Sequence, residues 1–307
     1  MNKALLVYHK VDFDGVFSCC IARKALEEKY DEVELLGFTY GDQLPNFEEM
    51  DHDLTVMVDI SFPPDIMKRL YQTRDCLWID HHQTALQQAA LGGYQGMDGL
   101  RRIGVGACEL CWEFFNGPNI PVPTLIQYLS AYDVWDHARF PWDWETVPVQ
   151  LALKTKYGVS VPKIWTDFGE MISPDYNFKG MLEVGQQIAT YEATQFRAAC
   201  KTYSFPITVN KKYRGVCILT NSFGSRIFES IQDQYDIYVT VNRRVDPTTG
   251  KVIFPVGMYA EQGRVDFSLA EYLQATYGVD RSGGHACACG TSLNEEEFRR
   301  LIIDCEI

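Results

Sequence analysis

Aspartate and histidine recur together at several places in the chain, each just after a run of apolar residues. The first is His9-Lys10-Val11-Asp12-Phe13-Asp14-Gly15, the second Asp59, the third Asp80-His81-His82 and the fourth Asp133. Three of the six histidines lie in this set. Two divalent cations about 3.5–4 Å apart can clamp the attacking and leaving oxygens of a displacement. Such a pair needs several carboxylates, one of them shared, and imidazoles that suit Mn²⁺ or Zn²⁺ better than Mg²⁺. Asp12 and Asp14 stand two apart on a turn and can address two different ions. Gly15, without a Cβ, lets the backbone turn sharply beside them. Any one aspartate also reads as a turn former or a helix cap. Turn chemistry, however, does not ask for histidine at the same places. Asp136, three residues beyond Asp133, competes for the last position.

These residues need a scaffold that brings distant strand ends to one rim. Residues 3–8, 33–39, 54–60 and 76–79 read as buried strands, and residues 16–29, 63–71 and 106–115 as helices among them. Strands alternating with helices predict a parallel α/β sheet, in which ligands bind beyond the carboxyl ends of the strands. The Trp- and Pro-rich stretch 135–144 reads as a loop or broken helix, and 181–203 as a long connecting helix. Beyond it, 205–209, 215–220, 237–242 and 252–259 predict strands, and 225–234, 269–277 and 294–305 helices. Asp246-Pro247-Thr248-Thr249-Gly250 predicts a hairpin turn. The domain expectation is therefore 1–182, a connecting helix over 183–203, and a smaller α/β domain with a mixed sheet over 204–307.

Length and charge set the outer limits. A chain of 307 residues suggests two domains, and 46% apolar with 22% charged residues argues against disorder. The net charge is −13, with −11 in residues 1–203 and −2 in the remainder. Such acidity disfavours groove-tracking of long nucleic acid. No apolar run reaches the ~20 residues of a membrane helix, and the first eight residues do not read as a secretory signal. Ten cysteines are too dilute for a disulfide scaffold, which suits the cytoplasm. Cys108 and Cys111 fall in a helical pattern, so buried thiols are expected there and at Cys287 and Cys289 rather than a four-cysteine zinc site.

The four motifs, in this order, resemble the signature of the DHH phosphoesterase superfamily, and Asp80-His81-His82 is the motif that names it. Residues 282–290, SGGHACACG, resemble the GGGHxxAxG motif of the DHH-associated domain, with Ser282 in place of the first glycine. The resemblance spans nearly the whole chain. It implies a parallel-sheet DHH domain followed by a DHH-associated domain, with the active site in the cleft between lobes. It implies one metal on His9, Asp12 and Asp59 and another on Asp14, Asp59, His81 and Asp133, with Asp59 bridging. Asp80 is expected to orient His81, and His82 to face the scissile phosphate. Arg281, Ser282, Gly283, Gly284 and His285 are the expected substrate contacts; the paired glycines can present backbone N–H groups to an anion.

The activity so implied is hydrolysis of phosphoester bonds in short nucleotides or oligonucleotides, nanoRNA or pAp, by a hydroxide activated between two divalent ions. Mn²⁺ is expected, with Mg²⁺ or Co²⁺ as alternatives. A cyclic or linear dinucleotide phosphodiesterase and an exopolyphosphatase are the rival enzymes; a nucleotide-binding regulator of the same fold is the rival outside catalysis. Neither long duplex nor membrane is an expected partner, and the resemblance leaves room for a homodimer.

Overall fold

The computed structural model of the chain describes all residues except 41, 48, 221–223, 247, 248, 280 and 306. Contacts divide it into two units, Met1–Ala189 and Thr190–Ile307. The first unit runs β1 (Lys3–His9), α1 (Phe13–Leu26), β2 (Glu32–Phe38), β3 (Leu54–Val58), α2 (Pro64–Thr73), β4 (Cys76–Ile79), α3 (Gln83–Gly92), α4 (Ala107–Asn116) and α5 (Thr124–Asp133). A short π-helical segment, Trp142–Thr146, then leads into α6 (Val147–Tyr157), α7 (Val161–Met171) and α8 (Lys179–Tyr203). The division between units falls within α8.

Among the described residues, the first sheet has four strands in the order β2-β1-β3-β4, all paired in parallel. Side chains on a strand alternate between faces, and β1 shows what that does here. Ala4 and Leu6 join a core with α1, α4, α5, α6 and α7, whereas Leu5 and Val7 join another with Met67 and Leu70 of α2 and Ala85 and Ala89 of α3. Both faces are covered, which explains the near-continuous apolar strands. From β1 the chain passes to β2 on one side and later to β3 on the other. The switch point, where ligands collect in such sheets, therefore lies between β1 and β3. Register completes the alignment: Tyr8 pairs with Val58 and Val58 with Ile79. His9, Asp59 and Asp80 thus follow at one level of the sheet.

Helices α3, α5, α6 and α7 have no counterpart in the sequence pattern above. Pro148 and Pro162 look like breakers, yet each sits in the first turn of its helix, where its missing N–H costs nothing.

The second unit continues with β5 (Ser204–Val209), β6 (Tyr213–Leu219), β7 (Ile237–Val241), β8 (Arg244–Val245), β9 (Val252–Tyr259), α9 (Leu269–Tyr277), β10 (Gly283–Gly284), β11 (Ala288–Leu293) and α10 (Glu295–Asp304). Its sheet runs β10-β11-β9-β7-β6-β5, with β8 on β9, and is mixed: β6 and β7 are parallel, the other pairs antiparallel. One face packs on α9 and α10, the other on the end of α8. Ser225–Ile231, expected as an α-helix over 225–234, is a 3₁₀ segment. The 246–250 turn lies partly outside the described residues, since Pro247 and Thr248 do; β8 and β9 on either side pair antiparallel. All ten cysteines are free thiols, and Cys108 and Cys111 are buried in α4.

Gly15 brings α1 tightly against the end of β1. A Cβ there would stand 2.1 Å from the carbonyl oxygen of His9 and 2.6 Å from its Cβ. Gly15→Ala is expected to cost about 1–3 kcal/mol by overpacking, read from urea unfolding. A loss below about 0.5 kcal/mol would mean that α1 can shift off His9.

Candidate metal centre

His9 closes β1, and its Nδ1 lies 2.9 Å from Asp12 Oδ2 and 3.5 Å from Asp59 Oδ2. Its Nε2 is 3.3 Å from the Thr39 hydroxyl, which leaves Nδ1 facing the carboxylates. Asp12 divides its oxygens: Oδ1 accepts from the Gly15 N–H at 2.9 Å and caps α1, while Oδ2 faces His9. Cap and site residue are therefore the same group.

The second cluster forms around His81, whose Nε2 is 3.2 Å from Asp59 Oδ1, 3.2 Å from Asp133 Oδ2 and 3.4 Å from Asp14 Oδ2. Asp14 is held from behind. Its Oδ1 accepts from the Cys108 N–H at 2.8 Å and its Oδ2 from the Ala107 N–H at 2.7 Å, so it caps α4 from another helix. The exposed N–H groups and partial positive charge of a helix start favour a carboxylate there. Gly106 makes room, since a Cβ on it would approach Asp14 Oδ1 to 2.9 Å, and its N–H donates to Ser130 Oγ.

Asp59 joins the two clusters, one oxygen toward each. Its backbone is left-handed, with φ +59°, which turns the chain off β3 at once, while its N–H stays bonded to the Ile79 carbonyl at 2.9 Å.

Asp80 is placed differently from the expectation that it orients His81. Its Oδ1 accepts from the backbone N–H groups of His81 and His82, at 2.7 and 3.1 Å, and lies 2.8 Å from His82 Nδ1. Its Oδ2 accepts from the Trp78 indole at 3.2 Å. A carboxylate that bonds the N–H two residues on makes a tight turn. This one folds the His82 ring back over Asp80 and sends the His81 ring into the carboxylates. Asp80 is thus a support for the imidazole of His82.

The other expected residues are placed as follows. Asp136 accepts from the Ala138 N–H at 3.1 Å. In the second unit, Gly283 and Gly284 pair with Gly290 and Cys289 in a hairpin, and Gly284 has φ +127°. A Cβ on Gly284 would meet the Ala288 carbonyl at 2.6 Å, so glycine is required by the hairpin itself. The His285 N–H donates to the Ala288 carbonyl. Ser282 is buried, with Oγ bonded to the Leu273 carbonyl and to Thr291 Oγ1, so its hydroxyl serves the interior of the lobe. Arg281 pairs with Glu297 at 2.8 Å and remains part exposed.

Thr39 and Tyr40 were not singled out by spacing, although the rule that ligands gather beyond strand ends applies to β2 as well. The Tyr40 ring centroid is 6.1 Å from that of His9 and the residue is 57% exposed. Desolvation and the nearby Asp80 charge raise its phenol above the usual range, against the hydrogen bonds of Ser61.

The donor set fits divalent cations. Within each trio, His9/Asp12/Asp59 and Asp14/His81/Asp133, one donor atom per residue lies within 4.8 Å of the others. That is close to the spread of ligands about 2.0–2.5 Å from a single ion. His9 Nδ1 and Asp59 Oδ1 are buried without a hydrogen bond, although oppositely charged atoms lie 2.9–3.5 Å away. They point at shared spaces rather than at each other, as ligands do.

Protons balance this charge when no cation does. Burial opposes a charged His9, but Asp12 and Asp59 outweigh it and raise the imidazole to about 11. Burial likewise opposes charge on His81 and His82, and the surrounding aspartates raise both. Burial and the repulsion of Asp59 and Asp133 push Asp14 well up; burial, partly countered by His81, raises Asp133 to about 6. Asp59 and Asp80 are also buried, but the histidines hold them below the usual range.

The sign for stability follows. Histidines raised from about 6.5 contribute stability below that pH and lose it as pH climbs through their folded values. Asp133, raised to about 6, binds its proton more tightly folded than unfolded, so it too favours the folded state less as pH rises from about 4 to 6. The thermal midpoint of the protein in a chelator is expected to fall between about pH 5 and 9. Saturating Mn²⁺ is expected to restore it and to release protons on binding. Calorimetry in buffers of different ionisation enthalpy reads both effects; a flat midpoint and no proton release would contradict this account.

No family model matches the sequence, and no curated protein matches it. Among the solved structures that share the fold along its length are the following two. The pGpG-specific phosphodiesterase PggH from Vibrio cholerae is 14% identical, with a TM-score of 0.52 over 98% of this chain and 96% of that one. The DHH domain of a protein described as belonging to a family of ribosomal proteins is also 14% identical, with a TM-score of 0.60 over 99% of this chain and 85% of that one. At such identity the likeness speaks for the fold alone: this chain has the fold of these structures, one of which is described as a DHH domain.

Proposed function

We propose that the chain is a divalent-metal-dependent hydrolase of phosphoester bonds in short nucleotides or oligonucleotides. The observation that carries this reading is Asp59, whose two oxygens each face one of two adjacent carboxylate–imidazole trios. His9, Asp12 and Asp59 would hold one ion, and Asp14, Asp59, His81 and Asp133 the other. Bound there, two divalent cations would supply positive charge to a phosphoryl group and make water a competent nucleophile near neutral pH. The two imidazoles among these ligands, His9 and His81, favour Mn²⁺ over Mg²⁺ as the working metal.

The protein's own groups do the rest. Asp80 fixes the His82 ring through Nδ1. Burial opposes its charge, but Asp80 raises its pKa above the ordinary value, and the protonated ring can donate to a phosphoryl or leaving oxygen. In the second unit, Arg281 and the Gly283-Gly284-His285 hairpin are the proposed phosphate contacts; Ser282 supports them from the interior.

A linear dinucleotide is favoured within this class because one structure of the same fold is a phosphodiesterase specific for pGpG. A hydrolysis panel tests the choice: RNA and DNA oligomers of two to five nucleotides, pAp, pGpG, cyclic dinucleotides and polyphosphate, each with Mn²⁺, Mg²⁺ or Co²⁺. Asp59→Asn and His81→Ala are expected to lower kcat by roughly 100-fold or more with the fold intact by circular dichroism. Binding of a nucleotide without hydrolysis of any substrate would favour a regulator instead. Full activity in either variant would overturn the site assignment.

A further inference from the structure

We propose that the aromatic segment just after Asp133 is a stacking subsite for a nucleobase of the substrate, an inference that rests on the hydrolase reading above. Four rings are layered there. Tyr132 stacks on Trp142 with centroids 5.5 Å apart and planes 5° apart, and His137 lies on Trp142 at 3.9 Å and 12°. Trp135 lies on His137 at 5.5 Å and 28°.

This stack is not part of either core of the first unit, since none of its rings is among the side chains packed there. Trp135 is 39% exposed and His137 is exposed too. Trp135 also has a left-handed backbone, with φ +58°. That conformation costs roughly 1–2 kcal/mol for a residue with a bulky side chain, where glycine or asparagine would be relaxed. A strained, exposed tryptophan costs stability twice over, and such strain collects at functional sites. The following π-helical segment, Trp142–Thr146, is another feature found mostly at such sites.

Chemistry narrows the ligand. The segment carries Asp133, Asp136 and Asp143, and its single arginine, Arg139, is engaged by Glu109 at 2.7 and 3.0 Å. It therefore repels phosphate and offers the flat faces that bases prefer. Position narrows it further. Trp135 is two residues from Asp133, whose carboxylate joins the His81 cluster, and two residues span at most about 7 Å. A base carried by the nucleotide whose phosphate is cleaved has that kind of reach. Stacking is tolerant of sequence, so the subsite selects for a base without choosing which.

The test compares ApA with the same dinucleotide lacking both bases, under Mn²⁺, in the wild type, Trp135→Ala and Trp135→Phe. Stacking worth about 1–3 kcal/mol per base predicts that Trp135→Ala lowers the ApA-to-abasic ratio of kcat/KM by about 5- to 100-fold. The loss should fall on KM, and Trp135→Phe should recover most of it. An equal loss on both substrates, or an unchanged ratio, would overturn the subsite. Equilibrium binding of AMP against ribose 5-phosphate, with Mn²⁺ present, separates this from the hydrolase reading. No hydrolysis by the wild type, with an AMP preference that Trp135→Ala abolishes, would overturn the hydrolase and support the subsite. No AMP preference in the wild type would overturn the subsite whatever the activity.

Discussion

Charge crowding at the carboxyl ends of β1, β3 and β4 is the constraint around which the first unit is arranged. Asp12, Asp14, Asp59 and Asp133 converge with His9, His81 and His82 in one small space, where Asp14, Asp59 and His81 are buried and Asp12 and Asp133 part exposed. Four crowded carboxylates cannot share such a space without compensation. Part comes from the start of α4, which bonds both oxygens of Asp14. Part comes from imidazoles held in their charged form. Two divalent cations would supply the four positive charges that match the four aspartates.

Structural and site roles coincide in the same side chains. Asp12 caps α1, Asp14 caps α4, and Asp80 closes the turn after β4. Capping a helix and facing the cluster are compatible here: Asp12 caps α1 with Oδ1 and turns Oδ2 to His9, while Asp14 Oδ2 accepts from Ala107 and also lies 3.4 Å from His81 Nε2. This rigidity is the condition for a preorganised site, because a ligand already fixed in position has no freedom left to lose when the cation or substrate arrives.

The acidity of the chain reads differently beside this geometry. The excess negative charge lies in residues 1–203, and part of it is gathered at this rim. It repels a bare polyanion, and divalent cations held at this rim would offset that repulsion. The neighbouring Trp135–His137–Trp142 stack has no cation to spare and suits an uncharged aromatic face.

By itself, the sequence determined that aspartates and histidines cluster after apolar runs and that an alternating α/β scaffold carries them. His9, Asp12, Asp14, Asp59, His81 and Asp133 are legible because metal-type side chains after apolar runs are rare in combination. The bounds of β4, β9 and α9 are legible because continuous apolar strands and helical periodicity are local properties. Helices α6 and α7 were hidden by prolines that start rather than break them. Only tertiary structure decided the register that levels His9 with Asp59, the left-handed turn that gives Asp59 to both trios, and the N–H groups of α4 on Asp14. It also decided that Asp80 holds the ring of His82, and that four aromatics scattered over residues 132–142 form one stack. Spacing along a chain says which groups are near in sequence; which oxygen faces which nitrogen depends on strand pairing and helix packing between segments as much as 94 residues apart.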